Sequence, residues 1–440
     1  MERSGQGAYA LMGTEINLTV GGISLSFSKN HMGIDFGHLF QESDRTRRKM
    51  EEINYDYYED NPDEIADLEV SEMVFARRLD RIAPRLELLN HSLEAARAEY
   101  QSVVVETLEM ASYSEPPEEP SLLSFEEFCA LACRYPLGEL KDAYIEYETP
   151  DRDKVAQGRF VDDANEFARL PGDRYNDLFY SEKSYLSASL CILSAESMLQ
   201  VFALNPANAD IEVVWEFGPL VNNGWANIGD FRPGARRAQK VLVATEGASD
   251  ARIIKRALGV LRPEVADFFN FIDVDERHHF WGTGNLVKFA EGLLRIDLQN
   301  KVLFVLDNDA EGVDAYRKLA ALTLPKNMRS MLLPNHETFT SFPARGPEGV
   351  SLADINGRAA AIECYLDLDL PAYGPAQVLW SNYKKDVGAW HGALDFKESY
   401  QRHFYEQSDD TLRNGPYQST KLTKLLDTLI MEASLVSPAT

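Results

Sequence analysis

Glu246, Asp307 and Asp309 are the residues of this 440-residue chain whose types and spacing could do chemistry. Each lies just past a short apolar run: VLVAT precedes Glu246-Gly247, and VLFVL precedes Asp307-Asn308-Asp309. Runs of this kind read as parallel strands buried on both faces. Acids just beyond them sit at the carboxyl edge of the sheet, where open α/β sheets bind ligands. Three carboxylates from two strand ends make a hard, all-oxygen donor set of the kind Mg²⁺ prefers. Asp250 follows one helical turn after Glu246 and can face the same cleft. Blander readings stand beside these. Asp307 and Asp309 can form a turn that caps a helix, and Asp250 can cap its own. Glu246 is harder to explain that way, because an unpaired carboxylate beside a buried strand is costly.

The elements that must position these acids alternate regularly. Strands are expected over 241–245, 269–274, 302–306 and 329–333, with helices over 250–261, 286–296 and 313–321. Such alternation predicts an α/β fold, a parallel sheet flanked by helices on both faces. Upstream, alternating runs around Gly21-Gly22 predict a β-hairpin over 15–30. The acidic, tyrosine-bearing stretch 51–70 reads as a mobile loop or a solvated approach to a helix. A helix follows over 71–109, which Pro84 should kink or restart. Residues 113–121 form a proline-rich acidic linker. Two short helices are expected over 123–147, the first opened by a Ser124/Glu127 capping box. Helical periodicity over 159–204 and a strand over 209–217 complete an α-rich (α+β) N-terminal domain. Downstream, 353–368 reads as a helical run carrying Glu363, for which an ordinary surface position is the alternative. A Lys- and aromatic-rich stretch spans 380–404, a short helix 421–431, and no internal repeat is visible.

Length predicts two or three domains. Four cysteines, none at zinc-finger spacing, point to a reducing compartment. Cys129 and Cys133, four apart on a helical pattern, read as core packing. No signal region and no stretch of ~18 apolar residues is present, so a cytoplasmic location without a membrane is expected. Net charge is −26, and residues 41–150 alone hold 27 acids against 11 bases. Such acidity argues against a protein that coats nucleic acid through general basicity, but it leaves room for a basic cleft elsewhere. Arg232, Arg236, Arg237 and Lys240 form the first basic cluster, either a phosphate contact or a solvated linker.

TEGASD followed by VLDNDAEG resembles the TOPRIM fold of topoisomerases, primases, recombination proteins and the OLD (overcoming lysogenization defect) nucleases. More widely, INLTVGG, RLELLN, ANADIEVVWEFGPL and INGRAAAIECYLDL resemble bacterial proteins with a HEPN/Toprim-associated N-terminal domain. The resemblance implies a TOPRIM-type sheet and a Mg²⁺- or Mn²⁺-dependent endonuclease, with two ions. Glu246, Asp307 and Asp309 would be catalytic metal ligands, with Asp250, Glu311 and Glu363 completing the set. OLD-like nucleases bring a further carboxylate from beyond the Asp-x-Asp, and Glu363 answers to it. From the residues alone, Lys384, Lys385, Lys397 and Arg358 are candidates for the cation that stabilises the leaving group, with Lys397 taken as the catalytic one. Gly247, Gly282, Thr283, Gly284, Arg358, Lys384 and Lys385 would contact phosphate, while His278-His279 reads as a surface pair or as ligands.

The implied organisation is a disordered N-terminus (1–11), a regulatory or interaction domain (12–235), a TOPRIM catalytic domain (236–370) and a basic, aromatic extension (371–440). Substrates would be DNA or a structured RNA such as tRNA, in bacterial anti-phage defence. A protein partner or activator would bind the acidic N-terminal domain, and a homodimer is a further expectation. A Walker A motif, a strand-passage tyrosine neighbourhood and a zinc-binding primase domain are absent from the sequence. Two rivals remain: a non-catalytic TOPRIM binding module, and a metal-independent RNase using Arg85 and His91, whose spacing resembles the HEPN signature.

Overall fold

In the N-terminal part, an alternating strand opens the first sheet. The computed structural model describes residues 13–50, 53–113, 120–172, 179–272, 282–370 and 373–437, which fall into two units, Met1–Gly234 and Ala235–Thr440. Strand β1 (Glu15–Val20) buries Ile16, Leu18 and Val20 and turns Glu15, Asn17 and Thr19 the other way. Gly21 and Gly22, both at positive φ, make the primed turn into β2 (Ile23–Lys29) that the twist of a hairpin requires. With β3 (Arg45–Arg47), β4 (Met73–Arg78) and β5 (Glu212–Glu216) they form an antiparallel sheet of order β2-β1-β5-β4-β3. Trp215 anchors its core among the rings of Phe36, Phe75, Phe217 and Phe231. Helices Leu79–Leu88, Leu93–Ser112, Phe125–Ala132, Glu182–Leu190 and Ala195–Phe202 contribute to the same core.

The Ala235–Thr440 unit carries the expected parallel sheet. Its strands are β6 (Val241–Thr245), β7 (Phe269–Phe271) and β8 (Lys301–Leu306). After the two-residue β9 (Asn308–Asp309) comes β10 (Met328–Leu332), and the sheet order is β10-β8-β6-β7. All six residues of β8 are buried, as a central strand covered on both faces demands. Val302, Phe304 and Leu306 pack with helices Thr283–Arg295 and Ala310–Ala321. Helices Ala248–Leu261 and Thr420–Ser434 pack on each other, the first against β6 and the second against β10. Further on, β11 (Phe342–Gly346), β12 (Gly349–Ala353), β14 (Val378–Lys384) and β15 (Ala389–Leu394) form a second sheet of order β12-β11-β14-β15. Between them, β13 (Ala359–Ala360) pairs antiparallel with β9.

Several expectations are corrected. The helix expected over 71–109 begins as strand β4, because Val74 and Phe75 are buried between β3 and β5. Pro84 sits inside helix Leu79–Leu88, and the chain breaks instead at Asn90, which takes the left-handed conformation. The second helix expected over 123–147 is only a 3-10 turn, Leu137–Glu139. Helical chain over 159–204 is interrupted rather than continuous. The run 353–368 is not an α-helix: it pairs as β13 and closes in a 3-10 turn, Ile362–Tyr365. The 51–70 stretch holds two short helices, Tyr55–Asp60 and Ile65–Ser71. The Ser124/Glu127 capping box forms as expected, and Cys133 Sγ donates to the Val201 carbonyl in the core. Among the described residues no single helix is long and apolar enough to cross a membrane.

Candidate active site

Two adjacent strand ends bring the acids together. β6 delivers Glu246 and Gly247, and the Gly247 N–H donates to Asp250 Oδ2 at 3.0 Å, so Asp250 closes the first turn of its helix. Ser249 Oγ donates to the other Asp250 oxygen at 3.2 Å. From neighbouring β8, the Asp307 N–H donates to Glu246 Oε1 at 3.0 Å, which ties the strand ends to each other. Asp309 Oδ1 accepts from the N–H groups of Glu311 (2.9 Å) and Gly312 (2.7 Å) and caps helix Ala310–Ala321. The capping readings of Asp250 and Asp309 are thus real, and each uses only part of the carboxylate's capacity. The Ile362 N–H donates to Asp307 Oδ1 at 3.0 Å, which brings the turn carrying Glu363 alongside. Asn308 holds the loop from the other side, accepting from the Gly357 N–H and donating to Asn335 Oδ1. Gly312 is demanded by space: a Cβ there would lie 2.0 Å from the Asp307 carbonyl oxygen and 3.1 Å from Glu246 Oε1.

The electrostatics follow from this packing. Asp250, Asp309 and Glu363 are buried, and Glu246 and Asp307 are half-buried. Burial, then repulsion from Asp309, Asp250 and Glu311, pushes the Glu246 carboxyl up to about 8 against the pull of the Asp307 N–H. Burial and the Glu363 charge push Asp250 up to about 7, although Gly247, Ser249 and Lys397 pull it down. Asp307 stands well above the usual carboxylate range, first from burial and then from Asp250, Glu246, Asp309 and Glu363. Asp309 is raised by burial, against its helix N–H groups and His391. Five acids therefore share one low-dielectric space and repel one another.

Around this core lie the remaining candidates. Glu363 Oε1 accepts from Gln401 Nε2 at 2.6 Å. Glu311 pairs with Lys384 at 2.7 Å, which holds its carboxyl below the usual range. Lys397 opens helix Lys397–Glu406, is exposed, and its charge reaches Asp250. The Gly282 N–H donates to the Glu246 carbonyl at 3.2 Å, so Gly282, Thr283 and Gly284 start their helix beside Glu246. Arg358 enters through its backbone, its carbonyl accepting the Ala310 N–H while its side chain is exposed. Lys385 lies exposed in the turn after β14. His278-His279 fall outside the described residues. Sequence reasoning passed over His391, Gln401, Gly312 and Asn308. Gly312 and Asn308 lie in the VLDNDAEG motif, so they had a signal; His391 and Gln401 reach the site only through tertiary folding. His391 Nδ1 stands 3.7 Å from Asp309 Oδ2.

Among the described residues no three His, Cys, Asp or Glu side chains are grouped so as to hold an ion by themselves. One reason is visible: oxygens of Glu246, Asp250, Asp307 and Asp309 are turned to backbone N–H groups. The donor chemistry nevertheless fits a hard dication that keeps several waters and uses one or two carboxylates directly.

Arg85 is a correction. It is fully buried, and its guanidinium donates to the His38 carbonyl (3.0 and 2.7 Å) and the Phe40 carbonyl (3.1 Å). A side chain locked onto backbone carbonyls cannot reach a substrate, so the Arg85–His91 RNase reading loses its arginine. His91 is half-buried, and burial lowers its imidazole below the usual value.

Residues 12–239 match the family described as HEPN/Toprim N-terminal domain 1, just over half of the chain. The chain belongs to this family. The matched segment stops before β6 and does not include the carboxylates. No curated protein and no solved structure matches the chain.

Proposed function

We propose that this member of the HEPN/Toprim family is a divalent-metal-dependent endonuclease that hydrolyses phosphodiester bonds of DNA or structured RNA. The observation that carries the reading is the gathering of five acids at the ends of β6 and β8 and in the turn beside them, tied by the Asp307 N–H on Glu246 and the Ile362 N–H on Asp307. Burying like charges together is costly, and a dication would offset that cost. Of Glu246, Asp307 and Asp309, one or two would hold one Mg²⁺ or Mn²⁺ directly and the rest through its waters, with Asp250 and Glu363 beside a second. Such ions, when bound, supply Lewis-acid charge to the oxygens of the phosphodiester. The chain's own groups do the rest. Amides at the start of helix Thr283–Arg295 receive a phosphate oxygen, and Lys397 faces the leaving-group oxygen with a positive charge. Lys385, exposed at the hairpin turn, contacts the nucleic-acid backbone. The acidic N-terminal unit docks an activating partner, and the protein works in the cytoplasm, as a homodimer, against phage.

The test is cleavage of supercoiled plasmid and of total tRNA in Mg²⁺, Mn²⁺ or EDTA. Glu246→Ala and Asp307→Ala should each lower metal-dependent cutting by at least about a hundredfold. Cutting that survives both substitutions rejects the reading. A second reading, a non-catalytic module that binds nucleic acid or a partner protein with the acidic domain as the interaction surface, draws on the net charge of −26 and on the lack of a grouped three-ligand set among the described residues. Nucleic-acid binding in EDTA, with no nicking under either ion, would favour it.

A further inference from the structure

We propose that His391 is a nitrogen ligand of the cation at Asp309 and that it makes this site prefer Mn²⁺ to Mg²⁺. The proposal rests on the carboxylate-site reading above and adds to it a donor and a metal preference. Asp309 spends Oδ1 on two backbone N–H groups, which leaves Oδ2 to face the β15 imidazole at 3.7 Å. That span is too long for a hydrogen bond, and it becomes an ion pair when the ring is protonated. It suits two ligands of one ion: donors each about 2.1 Å from a metal stand between roughly 3.0 Å (right angle) and roughly 4.2 Å (opposite sides) apart. His391 Nδ1 itself is shielded from solvent and has no hydrogen-bond partner among the described residues. A buried polar atom left unpartnered is rare and calls for an explanation; a lone pair aimed at a metal position is one.

The neighbourhood supports the assignment. Glu311, the acid next in sequence, is turned to Lys384 at 2.7 Å. The backbone that carries the ring is also held firmly. His391 pairs with Asn382 across the hairpin, and Gly392 after it is packed so closely that a Cβ would lie 2.8 Å from the Leu379 carbonyl oxygen. Mg²⁺ seeks oxygen and sheds water reluctantly, whereas first-row transition dications accept mixed nitrogen and oxygen ligands.

The experiment uses the full chain stripped with EDTA. Mn²⁺ is titrated by electron paramagnetic resonance, Mg²⁺ is measured by competition, and bound Mn²⁺ is examined for electron spin-echo modulation from a directly coordinated ¹⁴N. Wild type should show the ¹⁴N coupling and bind Mn²⁺ about tenfold more tightly than Mg²⁺. His391→Ala should lose the coupling and about tenfold in Mn²⁺ affinity, with Mg²⁺ affinity nearly unchanged. His391→Gln, which keeps the side-chain bulk, should lose the coupling and the preference while still binding both ions. A ¹⁴N coupling that persists in His391→Ala, or the same Mn²⁺/Mg²⁺ ratio in all three proteins, overturns the proposal. Mn²⁺ binding that Asp309→Asn removes, without ¹⁴N coupling in wild type, overturns the role of His391 and leaves the carboxylate reading standing. Wild type that binds neither ion removes both.

Discussion

Around Arg85 the N-terminal unit buries charge together with its partners; around Asp307 the C-terminal unit buries charge against like charge. Arg85 gives its guanidinium hydrogens to two carbonyls. Nearby, Glu99 accepts from the Ser194 and Ser197 hydroxyls. Burial pushes the Glu196 carboxyl up, yet His38 at 3.5 Å, a backbone N–H and His91 bring it below the usual range. In the other unit the shifts run upward, to about 8 for Glu246 and about 7 for Asp250, because the neighbours are acids. The difference teaches how to tell architecture from a site. A buried charge satisfied by its surroundings holds a fold together. A buried cluster of one sign is a cost the fold retains, and a ligand of opposite sign relieves it.

Beyond the loss of cutting, the largest expected effect on this contrast comes from Arg85→Ala. It leaves the His38 carbonyl without the guanidinium and opens a cavity, and should cost about 3 kcal/mol in urea denaturation; an unchanged midpoint would break the architectural half of the comparison. Gly312→Ala comes next. The added methyl collides with the Asp307 carbonyl, so a loss of about 1–3 kcal/mol should accompany weaker divalent-ion binding, read by calorimetry. Stability lost with ion binding intact would show that Gly312 does not shape the site. Lys384→Ala should be smallest. Its ion pair with Glu311 is half-exposed, so the change in stability should stay below about 1 kcal/mol.

The parallel sheet was legible because a strand buried on both faces is apolar throughout, as in β8, and ends where the acids begin. Glu246, Asp307 and Asp309 could be read from those strand ends, and Asp250 from one turn of helix. The 353–368 run misled because its alanines favour a helix, whereas pairing with β9 decides the outcome at Ala359 and Ala360. Strand β4 was hidden for a similar reason: Val74 and Phe75 are placed by β3 and β5, which come from distant parts of the sequence. His391 and Gln401 left no local trace, since their partners Asp309 and Glu363 lie on other elements. Arg85 showed the converse. Its spacing to His91 suggested chemistry, and only burial revealed the structural task.

Thermal unfolding across pH, in EDTA and in Mn²⁺, tests the central claim most directly. The folded carboxyls of Glu246 and Asp250 lie at about 8 and about 7, against about 4 in an unfolded chain. The folded state thus holds its protons longer, and these groups remove stability as pH rises from about 4 to about 8. Wild type in EDTA should show a Tm that falls between about pH 6 and about pH 8 for this reason, and Mn²⁺ should restore it most at the higher pH. Asp307→Asn should raise the Tm in EDTA and lose the gain from Mn²⁺. A wild-type Tm that ignores Mn²⁺, together with an Asp307→Asn protein less stable than wild type in EDTA, would contradict the account.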